Sequence, residues 1–186
     1  MSQMTSPTEY KENKLSELIL YISENMASDP TFGATKLNKV LFFSDFLAHR
    51  THGQPITGAA YMKLPHGPVP RRLLPVQEAL VGAGDATLVR RDHLGYPQKR
   101  VVPLRSANLE EFDANEINMV DEVMSALRGA TAARVSEMSH RLSVGWQIAS
   151  IKQDIPYNSV FLSTQPLSAA DRQSVRRKAD QLGLSA

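Results

Sequence analysis

The chain has 186 residues, a formal net charge of +2 and no cysteine. This length suits one globular domain, and the lack of cysteine excludes a disulfide framework, a thiolate nucleophile and cysteine-rich zinc sites. The small net charge gives no general attraction to nucleic acid or anionic membranes, so any basic site has to be local. The polar N-terminus and the lack of a long apolar run predict a cytoplasmic protein without a membrane partner.

Two helices are predicted at the start of the chain. The first has one apolar stripe at helical spacing, formed by Leu15, Leu18, Ile19, Ile22 and Met26. The second, "KLNKVLFFSDFLAHR", is apolar over an arc too wide for a surface helix. We therefore expect it to run through the core, with Thr35 as its N-cap.

The middle of the chain is rich in glycine and proline. Their frequency between residues 53 and 72 predicts turns and not regular structure. Pro70 is expected in the first turn of a third helix, and Pro75 then either delays that helix or bends it. Residues 86–104, "ATLVRRDHLGYPQKRVVPL", have two β-branched runs around a Gly-Tyr-Pro turn. They predict a hairpin with basic residues on its exposed face.

Helical patterns return in the last third of the chain. Asp113 and Glu116 have the spacing of a capping box, and Thr131 is expected to cap a shorter helix. A further turn or two is predicted around the single tryptophan, Trp146. Ser168 opens a last helix whose apolar face is thin.

These elements predict a mostly α-helical fold, a compact domain with a small β-hairpin. A winged-helix-like unit is one arrangement that helix, hairpin and helix allow. We divide the chain into a flexible N-terminus (1–12), a helical domain (13–160) and a C-terminal helix (161–186). That last helix either packs on the domain or contacts a partner.

Several separated segments follow the pattern of one known family. The segments "KLNKVLFFSDFLAHRTHGQPITG" and "YMKLPHGPVPRR", then a hairpin, then "TAARVSEMSH", "GW" and "IPY" resemble the Panacea domain family of SocA-like antitoxins. The resemblance extends over about residues 14–157. It implies a mostly helical antitoxin of a type II toxin–antitoxin pair, which binds its toxin protein directly and needs no cofactor. The toxin would be encoded by the adjacent gene, and its chemistry does not carry over from the family.

The resemblance also identifies motif residues, most of them with an expected structural role. The motif positions are Lys36, Leu37, Lys39, Phe42, Phe43, Gly53, Pro55, Tyr61, His66, Gly67, Pro68, Val69, Ser139, His140, Trp146, Pro156 and Tyr157. The tail after Tyr157 carries no family motif. Arg172 and Arg176 in its last helix are candidate partner contacts.

The segment "YMKLPHGPVPRR", residues 61–72, has two interpretations. In the first it is a rigid connector, in which the prolines fix φ and His66 bonds neighbouring carbonyls. In the second the same stiffness presents Tyr61, His66, Arg71 and Arg72 to a partner at low entropic cost. Both interpretations can hold together.

A polar stripe on the second helix is the one candidate for metal binding. Asn38, Asp45, His49 and His52 recur along one face, and Asp45 and His49 have a ligand-compatible spacing. Two ligands are weak grounds, so we expect a solvated stripe with an Asp–His hydrogen bond and no metal.

No constellation in the sequence indicates catalysis. There is no Gly-x-Ser-x-Gly elbow, no phosphate-binding glycine loop and no HExxH pair, so we expect no catalytic residues and a protein that is not an enzyme. The alternative function is a DNA-binding transcriptional regulator that uses the hairpin as a wing. Its candidate contacts are Arg90, Arg91, Lys99 and Arg100, with Arg71 and Arg72 nearby.

Overall fold

α-Helices alternate with two short hairpins along the chain. The computed structural model describes residues 8–93, 95–163 and 168–181. The helices are α1 (Glu12–Asn25), α2 (Ala34–His52), α3 (Leu73–Gly82), α4 (Ala114–Leu127), α5 (Ala132–Leu142), α6 (Val144–Ile148) and α7 (Ala169–Gln181), with a 3₁₀ helix at Tyr157–Phe161. The strands are β1 (Tyr61–Leu64), β2 (Gly67–Pro70), β3 (Ala86–His93) and β4 (Tyr96–Pro103). The prediction of a mostly α fold with a small hairpin is confirmed.

Helix α2 is the centre of the core, as predicted. Most of its residues are buried, and Phe42 is 2% exposed. The α1 stripe packs into the same core, with Leu15 and Ile19 fully buried. The predicted N-cap at Thr35 is wrong. The chain is extended at Gly33 and helical from Ala34, so Thr35 already lies inside the first turn.

The glycine- and proline-rich segment forms a hairpin that the sequence did not predict. β1 pairs with β2 in antiparallel register, from Tyr61 opposite Pro70 to Leu64 opposite Gly67. Pro70 therefore ends a strand, and its predicted place in the first turn of α3 is wrong. α3 starts at Leu73, which puts Pro75 in the first turn, where an N–H has no intrahelical partner. Of the two alternatives for Pro75, the delayed helix is the correct one.

The predicted second hairpin is present. β3 and β4 pair from Ala86 opposite Pro103 to His93 opposite Tyr96. Gly95 has a positive φ of 80°, and its N–H donates to Asp92 at 2.8 Å. Tyr96 and Pro97, which were expected in the turn, already belong to β4.

The later helices begin where their caps predicted. Asp113 and Glu116 form a reciprocal capping box, and the Thr131 side chain accepts from the Arg134 N–H. Ser168 bonds Asp171 at the start of α7. None of the helices among the described residues combines the length and apolarity that a membrane crossing requires.

Candidate functional site

The β1–β2 hairpin is closed by contacts that only glycine permits at its turn. Gly67 has a φ of +107°, and a Cβ there would lie 2.5 Å from Lys39 Cε and 2.6 Å from Ser139 Oγ. The Ser139 hydroxyl donates to the Ser136 carbonyl at 2.7 Å. Side chains of α2 and α5 thus pack closely against the turn. Glycine at position 67 leaves the space for Lys39 and Ser139 to approach its backbone.

Lys39 is a buried cation beside this turn. It is 1% exposed, and its Nζ donates to the Pro68 carbonyl at 3.4 Å. Within the part of the chain that the structure describes, no carboxylate forms an ion pair with it. Burial lowers the pKa of Lys39 to about 8. The hairpin is therefore held by a contact between residues 29 positions apart, from Lys39 to the Pro68 carbonyl.

An aromatic stack borders the same hairpin. The rings of His140 and Trp146 lie parallel with centroids 3.7 Å apart, and Lys63 Nζ is 4.3 Å from the tryptophan ring. Trp146 Nε1 donates to the Leu64 carbonyl at 3.2 Å, which ties α6 to β1. Burial lowers the pKa of His140, and the nearby charges of Lys39 and Lys63 lower it further. His140 is thus favoured in its neutral form.

The polar stripe of α2 is mostly not solvated, which corrects the expectation from sequence. Asp45 is 1% exposed and accepts hydrogen bonds from Thr57 N at 2.7 Å and Tyr61 Oη at 2.7 Å. His49 bonds Asn158 and not Asp45. Burial raises the pKa of Asp45, while the bonds from Thr57 and Tyr61 oppose that rise. The stripe is a polar core that holds the chain after α2. The described residues contain no group of three or more potential metal ligands.

The predicted partner residues are divided between core and surface. Tyr61 is 1% exposed, and its ring packs on Phe42 and Phe46. Its assignment as a partner contact is therefore corrected to a core position. His66 is exposed and makes no hydrogen bond to a described residue, so it does not lock the turn through carbonyls as the first interpretation expected.

The two arginines after the hairpin are held by carboxylates. Arg71 bonds the Asp154 carboxylate and the Lys152 carbonyl, and Arg72 lies 3.1 Å from Glu12. Their side chains remain 41% and 52% exposed, so both can also meet a partner. Arg172 and Arg176 are exposed on α7. Partner binding by these four arginines stays a prediction.

The family-motif residues are mostly internal. The buried ones are Lys36, Lys39, Phe42, Gly67 and Pro68, those with intermediate exposure are His140, Trp146 and Tyr157, and Pro156 is exposed. Lys36 pairs with Asp29 at 2.7 Å, both fully buried. Tyr157 donates to the Ala59 carbonyl at 2.6 Å, and Pro156 precedes the 3₁₀ helix.

The basic hairpin is less uniform than the sequence suggested. Arg90, Arg91 and Lys99 are exposed, but Arg100 is 7% exposed. Arg100 donates to the carbonyls of Asp29 at 2.9 Å and Pro30 at 2.8 Å. It is therefore an anchor for the hairpin, and its expected place on the exposed wing is wrong.

Sequence reasoning missed an exposed apolar pair beside the first hairpin. Ile148 is 70% exposed and Ile151 is 53% exposed. Both lie where α6 ends and the chain returns to pair with β1, through hydrogen bonds between Lys63 and residues 152–153. The length of α6 could have indicated this exposure. The helix ends at Ile148 and is too short to bury an apolar stripe, so Ile151 does not lie on its buried face.

We define the hairpin face as Lys63, Arg71, Ile148, Ile151 and Lys152. Its members are joined by backbone pairing, by the bond from Arg71 to the Lys152 carbonyl and by the bond from Lys63 Nζ to the Gln147 carbonyl at 3.4 Å. Protein interfaces have an apolar core and are enriched in arginine but depleted in lysine, so the two isoleucines and Arg71 are the members that fit an interface best.

The described residues form a small helical domain whose first hairpin is braced by contacts from α2, α5 and α6. The family model described as "Antitoxin SocA-like, Panacea domain" matches residues 37–147, more than half of the chain. The chain belongs to this antitoxin family, and the resemblance seen in the sequence is confirmed. Neither the curated proteins nor the solved structures contain a significant match.

Proposed function

We propose that this protein is the antitoxin of a type II pair and neutralises a toxin protein, encoded by the adjacent gene, by direct binding. Membership of an antitoxin family supports a toxin partner and favours binding over catalysis. The observation that carries the proposal is the hairpin face, where two strongly exposed isoleucines lie beside three cationic residues on a braced support. A rigid support lowers the entropic cost of binding.

The proposed mechanism is occlusion of the toxin's active surface. An interface of ordinary size buries about 1,600 Å² in total, more than the hairpin face alone provides. His66, Arg72 and the arginines of α7 are the candidates for the rim. Lys63 and Lys152, which have no carboxylate partner among the described residues, favour a toxin surface that is acidic or that normally binds an anionic substrate.

The primary test is a growth assay with the neighbouring gene. Inducing that gene alone should stop growth, and co-expression of this protein should restore it. A harmless neighbour would contradict the pairing. The surface is tested with the double variant Ile148→Asp/Ile151→Asp, which should abolish rescue because it puts two carboxylates into the apolar centre. The matched control is Leu104→Asp, another exposed apolar residue at 62%, which should still rescue.

A second variant tests the basic part of the interface. Neutralising both arginines, Arg71→Gln/Arg72→Gln, should weaken toxin binding. It also removes the pairs with Asp154 and Glu12, which are exposed and contribute little to stability, so the variant should stay folded in a thermal melt. Unchanged affinity in pull-down titrations would remove these arginines from the interface.

The alternative function is DNA binding through the β3–β4 hairpin. Its supporting observation is the exposure of Arg90, Arg91 and Lys99 on one hairpin. Phosphate contacts release counterions, so DNA binding should weaken steeply as salt rises. Titration of duplex DNA from the operon's own promoter at two salt concentrations decides this. Absence of a salt-dependent complex would leave toxin binding as the function.

A further inference from the structure

A cleft lies between the β3–β4 hairpin and the starts of two helices. Its volume is about 870 Å³, which lies in the range of small-molecule sites. The side chains and backbone that line it include those of Thr35, His66, His93, Lys99, Ala132 and Ser136. The cleft is distinct from the hairpin face, although His66 lies close to both.

The amino termini of α2 and α5 open into this cleft. Gly33, Ala34 and Thr35 line it at the start of α2, where no side chain caps the helix. Ala132 and Ala133 line it at the start of α5, where Thr131 satisfies only the Arg134 N–H. Each helix therefore offers backbone N–H groups and the positive end of its dipole to the same space.

A buried hydroxyl gives an independent indication of a ligand. Ser136 lines the cleft, is 9% exposed, and its hydroxyl makes no hydrogen bond to any described residue. A serine within a helix commonly donates to the carbonyl one turn earlier, as Ser16 does to Glu12 at 3.0 Å. The Ser136 hydroxyl makes no such bond and is accessible from the cleft. Its free donor and acceptor capacity is directed at the cleft.

The charge of the lining is positive. Lys99 is exposed beside the cleft, and His66 and His93 add two imidazoles. Lys36 also lines the cleft, but Asp29 neutralises it at 2.7 Å. No aspartate or glutamate is found among the described lining residues. A ligand here meets donors and cations without an opposing carboxylate.

We propose that this cleft binds the phosphate group of a small phosphorylated molecule of about nucleotide size. The phosphate oxygens accept from the N–H groups at the start of α2 and α5 and from the Ser136 hydroxyl, and Lys99 balances the charge. The concave shape suits a small molecule better than the convex backbone of a duplex. Binding would join the hairpin to both helices.

The test is calorimetric titration of the full chain, without toxin, using sodium pyrophosphate and ATP as probes in 0.1 M salt. Saturable binding of at least one probe is expected. Lys99→Glu should weaken it at least about tenfold, because it replaces an attractive charge with a repulsive one. Ser136→Ala should weaken it about three- to tenfold through the loss of one hydrogen bond.

The matched control is Arg141→Glu. It changes the net charge by the same amount as Lys99→Glu and lies on α5, the helix that carries Ser136. Arg141 lies in the last turn of α5, roughly 14 Å along the axis from its first residue and beyond the Debye length in 0.1 M salt. Its affinity should equal that of the wild type. Circular dichroism melts establish that all three variants are folded.

Three results would overturn the proposal: no saturable binding of either probe up to millimolar concentration, equal affinity in wild type, Lys99→Glu and Ser136→Ala, or binding of 5′-phosphorylated duplex DNA but of neither probe. Because the toxin is absent from the titration, failure here leaves the antitoxin proposal unchanged, and failure of growth rescue leaves this one unchanged.

Discussion

The two hairpins of this protein are built on opposite principles. β1–β2 has four residues in each strand, contains three prolines and is braced by Lys39, Ser139 and Trp146 from elsewhere in the chain. β3–β4 has eight residues in each strand and ends at a positive-φ glycine with its own aspartate bond. Contacts from distant helices brace the turn of the first hairpin, whereas a local bond supports the turn of the second.

The largest expected difference between the two hairpins is the stability lost when the glycine of each turn is replaced by alanine. Gly67→Ala should lower the free energy of unfolding by about 3 to 5 kcal/mol, because a strained φ and a collision with Lys39 and Ser139 add together. Gly95→Ala should cost only about 1 to 2 kcal/mol, since its φ is also positive but nothing lies within 4 Å of the added Cβ. Urea denaturation of both variants measures the difference. Equal losses would mean that Lys39 and Ser139 do not constrain the first turn.

The pH dependence of stability should reveal the buried lysine of the first hairpin. The folded-state pKa of Lys39, about 8, lies below the unfolded value of 10.5. The folded chain therefore loses this proton first, and stability rises between pH 8 and pH 10.5 by about 2 to 3 kcal/mol from this group.

The variant Lys39→Met isolates that contribution. The stability of wild type relative to Lys39→Met should increase by about 2 to 3 kcal/mol between pH 7 and pH 10, as measured by urea denaturation at both values. Lys99→Met on the second hairpin is the control, and its exposed side chain predicts no comparable change. A constant difference between wild type and Lys39→Met would show that Lys39 is not desolvated.

The smallest expected effect concerns Arg100, a tertiary anchor of the second hairpin. Arg100→Met should cost about 2 kcal/mol, because it leaves the carbonyls of Asp29 and Pro30 without their donor. Lys99→Met, beside it on the same strand, should change stability by no more than about 0.5 kcal/mol. Thermal melts compare the two. If both variants behave alike, Arg100 does not anchor the hairpin.

The features that the sequence predicted correctly are those set by neighbouring residues, and most of the errors concern contacts between distant segments. The capping box at Asp113, the cap at Thr131 and the β3–β4 hairpin depend on neighbours in the chain, and all three were predicted. Tyr61 in the core and Asp45 bonded to Thr57 depend on segments that meet only after folding. Pro70 is different, because it pairs with the nearby Tyr61 and its place in a strand was a local feature that the prolines obscured. The family resemblance identified motif residues within 61–72. The need for glycine at position 67 is explained only by its contacts with Lys39 and Ser139, which come from distant parts of the chain.

The candidate surfaces were predictable only in part. His66, Arg71 and Arg72 were selected from sequence, and all three are exposed in the structure. Ile148 and Ile151 were not selected, because an apolar residue in a helical pattern is expected to be buried. The phosphate cleft has no motif at all, since its N–H groups come from the starts of two helices that are about 100 residues apart in sequence from α2 to α5.

The pairing of β1 with residues 152–154 also sets the order of events during synthesis. Arg71 and Asp154 are 83 residues apart, and a ribosome adds about 5 to 20 residues per second. Residues 152–154, which pair with β1, are therefore synthesised roughly 4 to 17 seconds after the first hairpin. Until then the edge of β1 is unpaired and open to other strands. A chain truncated before residue 152 would keep the residues of the β3–β4 hairpin but lack the partner of β1, and we expect it to aggregate through that edge.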